Sequence, residues 1–340
     1  MSDTAIALKP ERPASPTSPV RRSMQRVGVQ NLSLGIAIVI LVAIIGVQNP
    51  LFFGLENMRV IGQAVAISGL LAVVQTLVII LGALDISVGS LAGLCSVVSA
   101  MVFTVAGPLL GVVAAVGVGI VCGLINGCII VFGRVNSVIA TLATLAAYRG
   151  VADLISNGSA QGYTGSDPFF IFIARGSLLG IPTLIWILLL VAALVHVFLR
   201  FTSWGRNVYA VGGNGVAARL AGVNINRYIV GVFVVTGLVA AVAGILITAR
   251  TGSGQPVSGS AGLELQAVTA AALGGAALKG GKGSVIGTLL AVVLLGVLSN
   301  GLTLLNVNSF WQDVATGGVL VLAVVIQQLR SGDRRIGLPS

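Results

Sequence analysis

The sequence predicts an all-α integral membrane protein with about ten transmembrane helices. Of its 340 residues, 56% are hydrophobic and only 8% are charged, and the mean hydropathy is +1.06. A soluble domain carries roughly 25% charged residues, because its surface faces water. The apolar residues also form continuous runs, whereas the strands of a membrane barrel alternate between polar and apolar positions. The chain is therefore expected to be solvated by lipid.

Ten apolar runs have approximately the length of a membrane-spanning helix. A hydrocarbon core of about 30 Å needs roughly 20 helical residues. Each run is rich in Leu, Val, Ile, Ala and Gly and is bounded by charges, proline or other polar residues. The predicted spans cover residues 32–48, 60–82, 88–106, 109–132, 138–157, 182–201, 228–249, 265–278, 285–305 and 309–328. The run at 265–278 is the shortest of the ten.

The basic residues predict the orientation, because positively charged loops stay in the cytoplasm. With the N-terminus inside, only Arg59, Arg149, Arg175 and Arg250 of the 19 Lys and Arg residues fall in outside segments. We therefore predict that both termini are cytoplasmic. The same distribution explains the high isoelectric point without a nucleic-acid partner, since no basic stripe alternates with aromatic residues.

The chain divides into one membrane domain and two tails. Residues 1–31 are predicted to be a disordered, Pro-rich cytoplasmic tail, in which prolines recur every third residue as in a polyproline II helix. Residues 32–328 form the transmembrane domain, and residues 329–340 form a second cytoplasmic tail. No cleavage site follows the first apolar run, so this run is expected to remain as an anchor.

No catalytic, cofactor-binding or metal-binding motif is found in the sequence. The Gly-rich stretch at 274–284 resembles a phosphate loop, which requires G-x-x-x-x-G-K-[ST]. Ala276 stands where the first glycine belongs, and Gly283 follows Lys282 where Ser or Thr belongs. Three cysteines and one histidine provide no metal-binding spacing. We therefore expect no enzymatic activity in this chain.

Polar side chains inside the apolar runs are costly there and often mark a pathway. They are Gln63, Gln75, Asp85, Asn126, Asn300 and Asp313. Asp85 stands out because the segment LDISVGS at 84–90 interrupts two apolar runs with hardly any loop. Irregular backbone at membrane depth is tolerated only where protein or water covers it. We predict that this break lines an internal cavity; hydrogen bonding between helices is the alternative reading, and we favour it for Asp313.

An internal similarity is also visible. The dipeptide NG at 126–127 precedes VNS at 135–137, and NG at 300–301 precedes VNS at 307–309. The predicted topology puts the first pair of motifs inside and the second pair outside. Opposite orientations of this kind are what an inverted repeat would produce.

The longest predicted cytoplasmic connection covers residues 202–227. Asn214 is suited to cap a short helix that begins directly after it, and Gly222 is suited to end that helix. Small residues in this helix would allow it to dock in a groove on a soluble partner. A solvated loop that only joins two spans is the alternative.

Four blocks of sequence resemble the permease subunit of bacterial ABC importers for monosaccharides, of the ribose, xylose and autoinducer-2 type. They are LDISVGS at 84–90; GRNVYAVGGN at 205–214 with AARLAG at 217–222; ELQAV at 264–268 with ALGG at 272–275 and GGKGSVIG at 280–287; and a weaker block from 141 to 150. Asn136 and Ser137 depart from the relatives, which usually have Pro followed by an aromatic or small residue. The start of the fifth span is thereby put in question.

The resemblance implies the architecture and the partners of an ABC importer permease in the bacterial inner membrane. The partners would be a second copy of the chain or a paired permease, two ATP-binding cassette subunits that bind the ATP, a periplasmic substrate-binding protein, and the surrounding lipid. The residues expected along the translocation path are Gln75, Asp85, Ser87, Asn126, Thr141 and Thr144. The residues expected to couple to the ATPase are Gly205, Arg206, Gly212, Gly213, Asn214, Ala217, Ala218 and Arg219.

Three other classes of protein fit the sequence less well. A branched-chain amino-acid ABC permease shares the architecture, although the block at 84–90 favours sugars. An ion-coupled secondary transporter would show ionisable residues deep in its spans, and the acids here are expected at span edges. A scaffolding protein would have no need of the break at Asp85.

Overall fold

The structure is a computed structural model that describes residues 19–162 and 164–331. The helices are α1 Pro19–Gln48, α2 Leu55–Leu81, α3 Val88–Phe132, α4 Ser137–Ser156, α5 Pro168–Arg175, α6 Thr183–Phe201, α7 Ser203–Gly213, α8 Gly215–Leu220, α9 Ile225–Thr251, α10 Leu263–Leu273, α11 Val285–Leu304 and α12 Ser309–Ser331. A 3-10 turn at Pro50–Phe53 precedes α2, and a two-stranded antiparallel hairpin, β1 Ser177–Leu178 with β2 Ile181–Pro182, precedes α6.

Seven of the described helices are long and apolar enough to cross a membrane, namely α1, α2, α3, α4, α6, α9 and α11. This confirms the predicted all-α membrane protein. Residues 1–18 and 332–340, which include most of the two predicted tails, lie outside the described residues, as does the side chain of Asp313.

Helix α3 consists of two arms that fold back on each other at Gly107. Its 45 residues would extend about 68 Å as one straight helix, more than twice the hydrocarbon thickness. Gly107 has φ 83° and ψ 175°, and Pro108 follows it without a backbone N–H to donate. Beyond this reversal, a Cβ on Gly111 would meet Ser99, twelve residues earlier. The two arms match the predicted runs at 88–106 and 109–132.

The shortest predicted run, 265–278, is only partly helical. Helix α10 covers eleven residues, Leu263–Leu273, and it follows a turn-rich segment at 252–262. This segment contains glycines at 252, 259 and 262 with positive φ. After α10 the chain turns again through the Gly-rich stretch that ends at Ser284, the N-cap of α11. The glycines therefore shorten the helix at both ends, which the apolar composition alone did not indicate.

Two halves of the chain share a sequence of backbone features. Helices α2 and α9 both have 27 residues and both end at a left-handed glycine, Gly82 with φ 88° and Gly252 with φ 74°. Each glycine is followed by a non-helical segment and then by a new helix, α3 or α10. These correspondences link the first half to the second over three successive elements.

The turns before α4 and α12 repeat in the same way. Arg134 has φ 54° and Asn306 has φ 56°. Two residues later, Asn136 accepts from the backbone N–H of Val138, and Asn308 accepts from that of Phe310, both at 2.9 Å. The departure from the relatives at Asn136 thus supplies an N-cap for α4.

The two halves run in opposite directions. Gly82, at the end of α2, lies against Gly212 in α7. Asn207, also in α7, donates to the hydroxyl of Tyr228 near the start of α9. The end of α2 and the start of α9 therefore lie at one end of the bundle, called the Gly82 end below; the opposite end is called the Gly252 end.

The second arm of α3 crosses α9 at close range through glycines. A Cβ on Gly119 would overlap the carbonyl oxygen of Gly237, and a Cβ on Gly123 would overlap that of Phe233. Small residues let helix backbones approach closely where lipid cannot drive association. Much of the buried apolar core lies along α2, α3 and α9 around this crossing.

Candidate functional site

The segment between α2 and α3 extends alongside the first turns of α4. The backbone N–H of Leu84 donates to Ser137 Oγ at 3.2 Å, and that of Ile86 donates to Thr141 Oγ1 at 3.1 Å. A backbone outside a helix or sheet needs such partners when it is buried. The hydroxyl groups of α4 therefore stabilise the break that the sequence analysis identified.

A chain of hydrogen bonds starts at Asp85, the residue in the middle of this break. Ser87 donates from its backbone N–H (2.9 Å) and its hydroxyl (2.6 Å) to Asp85 Oδ1. Asn126 Nδ2 donates to Ser87 Oγ at 2.9 Å, and the hydroxyl of Tyr148 donates to Asn126 Oδ1 at 2.9 Å. All four residues are buried. This polar cluster joins the break, the second arm of α3 and α4, and its bonds fix their relative positions.

The structure brings together most of the residues predicted for the path. Asp85, Ser87 and Asn126 belong to the polar cluster, and Thr141 bonds the same break. Thr144 is buried one turn further along α4 and donates to the carbonyl of Thr141 at 3.3 Å.

Gln75 is the exception among the predicted residues. It is fully buried within α2, and neither its amide nitrogen nor its amide oxygen has a hydrogen-bond partner among the described residues. Tyr148, by contrast, belongs to the polar cluster and was missed. Its signal was a single phenolic hydroxyl within an apolar run, directly before Arg149.

A second polar feature lies next to this cluster. Arg149 Nη2, in α4, lies 3.6 Å from Glu264 Oε1, in α10. Glu264 is buried, and Arg149 lies within the helix at partial exposure. Glu264 does lie at the start of its helix, as the sequence analysis expected of the acids, but it is buried there. Arg149, which the sequence analysis counted with the outside segments, lies within α4, as the predicted span at 138–157 already implied.

A cavity of about 310 Å³ lies towards the Gly252 end, between α2, α10, α11 and Arg250. Its polar lining includes Gln266, Ser299 and Asn300. None of the six residues predicted for the path lines it. The side chains at the break at Asp85 are hydrogen-bonded to one another, and its lining of an internal cavity stays a prediction.

The connection at 202–227 is helical. Thr202 caps α7 by accepting from the backbone N–H of Gly205 at 3.0 Å, and Asn214 caps α8 by accepting from that of Ala217 at 3.0 Å. The predicted helix after Asn214 is confirmed, although it ends at Leu220, before Gly222. Helix α7 was not predicted, because the glycines near both of its ends are typical of a loop.

The residues predicted to couple to a partner fall into two groups. Five are exposed, namely Arg206, Gly213, Asn214, Ala217 and Arg219, whereas Gly205 and Ala218 are buried and Gly212 is partly buried. A Cβ on Gly212 would overlap the carbonyl oxygen of Ile80 at the end of α2. The second group therefore packs α7 and α8 against the bundle, and its role in coupling stays a prediction.

Two residues that the sequence analysis overlooked complete the exposed surface of α8. Val216 is 73% exposed and Leu220, four residues later, is 85% exposed. Residues four apart lie on the same face of a helix. An apolar pair on a short helix at the end of the bundle is a surface suited to contact a partner.

The helices are long and apolar, are interrupted at buried polar segments, and are joined by short exposed helices at one end. These features define a multi-pass membrane protein of the permease class. The chain belongs to the family described as branched-chain amino acid transport system / permease component, whose model matches residues 58–324.

Curated relatives resemble the chain over most of its length. It is 40% identical to the ribose import permease protein RbsC of Escherichia coli, over 86% of this chain and 91% of that protein. It is 38% identical to RbsC of Bacillus subtilis, over 89% of this chain and 94% of that protein. It is 37% identical to the L-arabinose ABC transporter permease protein AraH of Azospirillum brasilense, over 97% and 98%. No solved structure matches the chain significantly.

Proposed function

We propose that this chain is the transmembrane subunit of an ATP-driven importer that carries a monosaccharide across the bacterial inner membrane. The observation that carries the proposal is its identity of 36–40% to ribose and L-arabinose permeases over at least 84% of the chain. ATP is bound and hydrolysed by separate subunits, since the chain's Gly-rich stretch lacks the residues of a phosphate loop. The chain itself is not an enzyme.

The proposal favours a sugar over a branched-chain amino acid. The family description names branched-chain amino acids, but the relatives described above transport ribose or L-arabinose according to their names. Coupling to an ion gradient is not excluded by the position of the acids, because Glu264 is buried in the bundle. The relatives nevertheless favour ATP-driven import, since AraH is itself named as an ABC transporter permease.

The proposed topology has ten spans, with both termini and the Gly82 end in the cytoplasm. Counting the two arms of α3 separately turns the seven long helices into eight. The segment at 252–262 together with α10 forms the ninth proposed span, and α12 forms the tenth. The basic residues support this orientation, because Arg134, Arg206, Arg219 and Arg227 are all in or next to turns at the Gly82 end.

The solute is proposed to pass next to the polar cluster. The residues assigned to the path are the six predicted from the sequence together with Tyr148. The six are Gln75, Asp85, Ser87, Asn126, Thr141 and Thr144. Buried polar groups within a lipid-embedded bundle are costly, so their concentration at one break supports a polar route at that place.

The exposed face of α8 is proposed to dock on an ATP-binding subunit. Val216 and Leu220 supply apolar contacts, and Arg206, Gly213, Asn214, Ala217 and Arg219 lie around them. Two such subunits, a second copy of this chain or a paired permease, and a periplasmic solute-binding protein complete the proposed assembly in the lipid bilayer.

Reconstitution tests the function. The chain is co-expressed with the ATP-binding and solute-binding subunits of its source organism and incorporated into proteoliposomes that contain ATP inside. We expect ATP-dependent accumulation of radiolabelled D-ribose or L-arabinose, and none of radiolabelled L-leucine. Accumulation of L-leucine alone would favour the amino-acid alternative, and accumulation driven by an ion gradient without ATP would favour a secondary transporter.

A further inference from the structure

The starts of α3 and α10 meet inside the bundle. Gly89 is the second residue of α3, and Glu264 is the second residue of α10. A Cβ on Gly89 would overlap Oε2 of Glu264 and lie 3.0 Å from the carbonyl oxygen of Ser260. The carboxylate of Glu264 therefore occupies the space that the missing side chain of Gly89 leaves free.

This meeting point lies near the middle of the bundle. The break before α3 contacts α4 first at Ser137, then at Thr141, and finally through Asn126 at Tyr148. The eleven steps along α4 from Ser137 to Tyr148 rise about 16 Å, roughly half of a 30 Å hydrocarbon core. The start of α3 is thus about halfway across.

The segment before α10 approaches from the other end. Gly254 lies against Val97, and a Cβ on Gly93 would overlap the carbonyl oxygen of Pro256. Together with the contact between Gly89 and Glu264, these contacts follow the first arm of α3 over about 12 Å towards its start. Two interrupted helices therefore enter from opposite ends and begin next to each other.

The charges at this point are not satisfied by each other. The distance of 3.6 Å between Arg149 Nη2 and Glu264 Oε1 is too long for a hydrogen bond. Arg149 Nε, Arg149 Nη2 and Glu264 Oε2 have no hydrogen-bond partner among the described residues, although these atoms are buried. The side chain of Glu264 is only 9% exposed. Buried charges with unused hydrogen-bonding capacity are costly, so a bound molecule that uses this capacity is stabilised.

We propose that Arg149 and Glu264 contact the hydroxyl groups of the transported solute halfway along its path. The guanidinium donates hydrogen bonds and the carboxylate accepts them, and each hydroxyl group of a neutral polyhydroxylated molecule does both. Arg149 belongs to the first half of the inverted repeat and Glu264 to the second. The contact therefore lies between the two parts whose relative movement opens a path in transporters built from such repeats. This inference rests on the proposed function and specifies its site.

Uptake into the proteoliposomes described above tests the contact. Glu264→Gln keeps the shape of the side chain and removes its charge. We expect uptake of D-ribose and L-arabinose to fall about tenfold, as one charged hydrogen bond contributes, while ATP hydrolysis stimulated by the solute-binding protein stays within about twofold of wild type. Arg149→Lys keeps the charge but loses the planar guanidinium group. It should lower uptake by less than Glu264→Gln does, again with little change in ATP hydrolysis. The matched control is Glu56→Gln, which breaks an exposed ion pair with Arg59 and should leave both activities unchanged.

Two measurements separate solute contact from a purely structural ion pair. The double variant Arg149→Glu with Glu264→Arg restores an ion pair but exchanges the donor and acceptor positions, so uptake should stay low. A site that bonds hydroxyl groups also rejects analogues that lack them. The preference for D-ribose over 2-deoxy-D-ribose should therefore shrink in Glu264→Gln.

The possible failures are distinguishable. Restored uptake in the double variant would show that the pair only holds α4 to α10. Unchanged uptake in Glu264→Gln, with active wild type, would overturn the contact and leave the proposed function intact. A wild-type assembly that carries neither pentose would contradict the proposed function itself. Should Glu264→Gln fail to assemble with the ATP-binding subunits, the same criteria apply to Arg149→Lys.

Discussion

The phenolic hydroxyl of Tyr148 lies 2.9 Å from both Asn126 Oδ1 and the carbonyl oxygen of Cys122, and it thereby joins α4 to the second arm of α3. The Tyr148→Phe variant leaves the side-chain oxygen of Asn126 without this donor while it preserves the aromatic ring. We expect a loss of about 1–2 kcal/mol in stability, because a buried acceptor is left unsatisfied. Thermal unfolding of the detergent-solubilised protein measures the loss. Thr104→Val, which removes an exposed hydroxyl bonded only within its own helix, is the control. Equal stability of the two variants would contradict the role of this bond.

The crossing of α3 and α9 predicts a strong difference between two neighbouring glycines. Gly119→Ala places a methyl group against the backbone of Gly237, whereas Gly117→Ala meets nothing within 4 Å. Overpacking of this kind costs about 1–3 kcal/mol. We expect Gly119→Ala to lower the melting temperature clearly and Gly117→Ala to leave it unchanged or slightly raised. Similar melting temperatures for both would mean that the helices cross elsewhere.

The contact of α7 with the end of α2 predicts a second difference between neighbours. Gly212→Ala would overlap the carbonyl oxygen of Ile80, whereas Gly213→Ala approaches only Gly281, at 3.9 Å. Gly212→Ala should therefore displace α7 and expose the connection at 202–227 to limited proteolysis. Gly213→Ala should keep the digestion pattern of wild type. Equal resistance of the two variants would argue that α7 is not held by this contact.

The proposed docking surface predicts that exposed positions of α8 affect assembly and buried ones affect folding. Leu220→Asp replaces a residue that is 85% exposed, so the isolated permease should fold normally. Its co-purification with the ATP-binding subunits should fall about tenfold, since apolar anchors dominate such interfaces. Ala217→Trp, also exposed, should act in the same direction. Ala218→Trp is different, because Ala218 is buried within the permease and the added volume should reduce expression and stability.

Arg219→Gln supplies the matched control for this surface, as an exposed polar residue on the same helix. A rim charge changes affinity much less than an apolar anchor, so co-purification should stay within about threefold of wild type. Full retention of the ATP-binding subunits by both Leu220→Asp and Ala217→Trp would show that α8 is not the docking element.

Much of the fold could be predicted, because lipid imposes a simple rule on composition. Continuous apolar runs of the required length located α2, α6, α9 and α11 to within a few residues. The reversal at Gly107 falls between the two runs predicted at 88–106 and 109–132, where Pro108 interrupts the apolar sequence. The same rule was less accurate at α10, because the predicted run at 265–278 is helical only as far as Leu273 and only the pattern of glycines indicated where the helix ends.

The candidate site was predicted less completely, for a physical reason. Asp85 and Asn126 are conspicuous in an apolar run, and the structure joins them through Ser87. Tyr148 is amphipathic and does not stand out from apolar neighbours. The proximity of Arg149 and Glu264, 115 positions apart, depends on how two interrupted helices enter the bundle, and local composition holds no information about that.

The seating of α7 has a mechanical consequence. The backbone of Gly212 touches both the end of α2 and Gly281, before α11, at the point where the N–H of Gly281 donates to the carbonyl oxygen of Ile80. These two contacts belong to opposite halves of the repeat. A displacement of α7 would therefore move both halves together, because the contacts that link them at Gly212 are made by backbone atoms and not by flexible side chains.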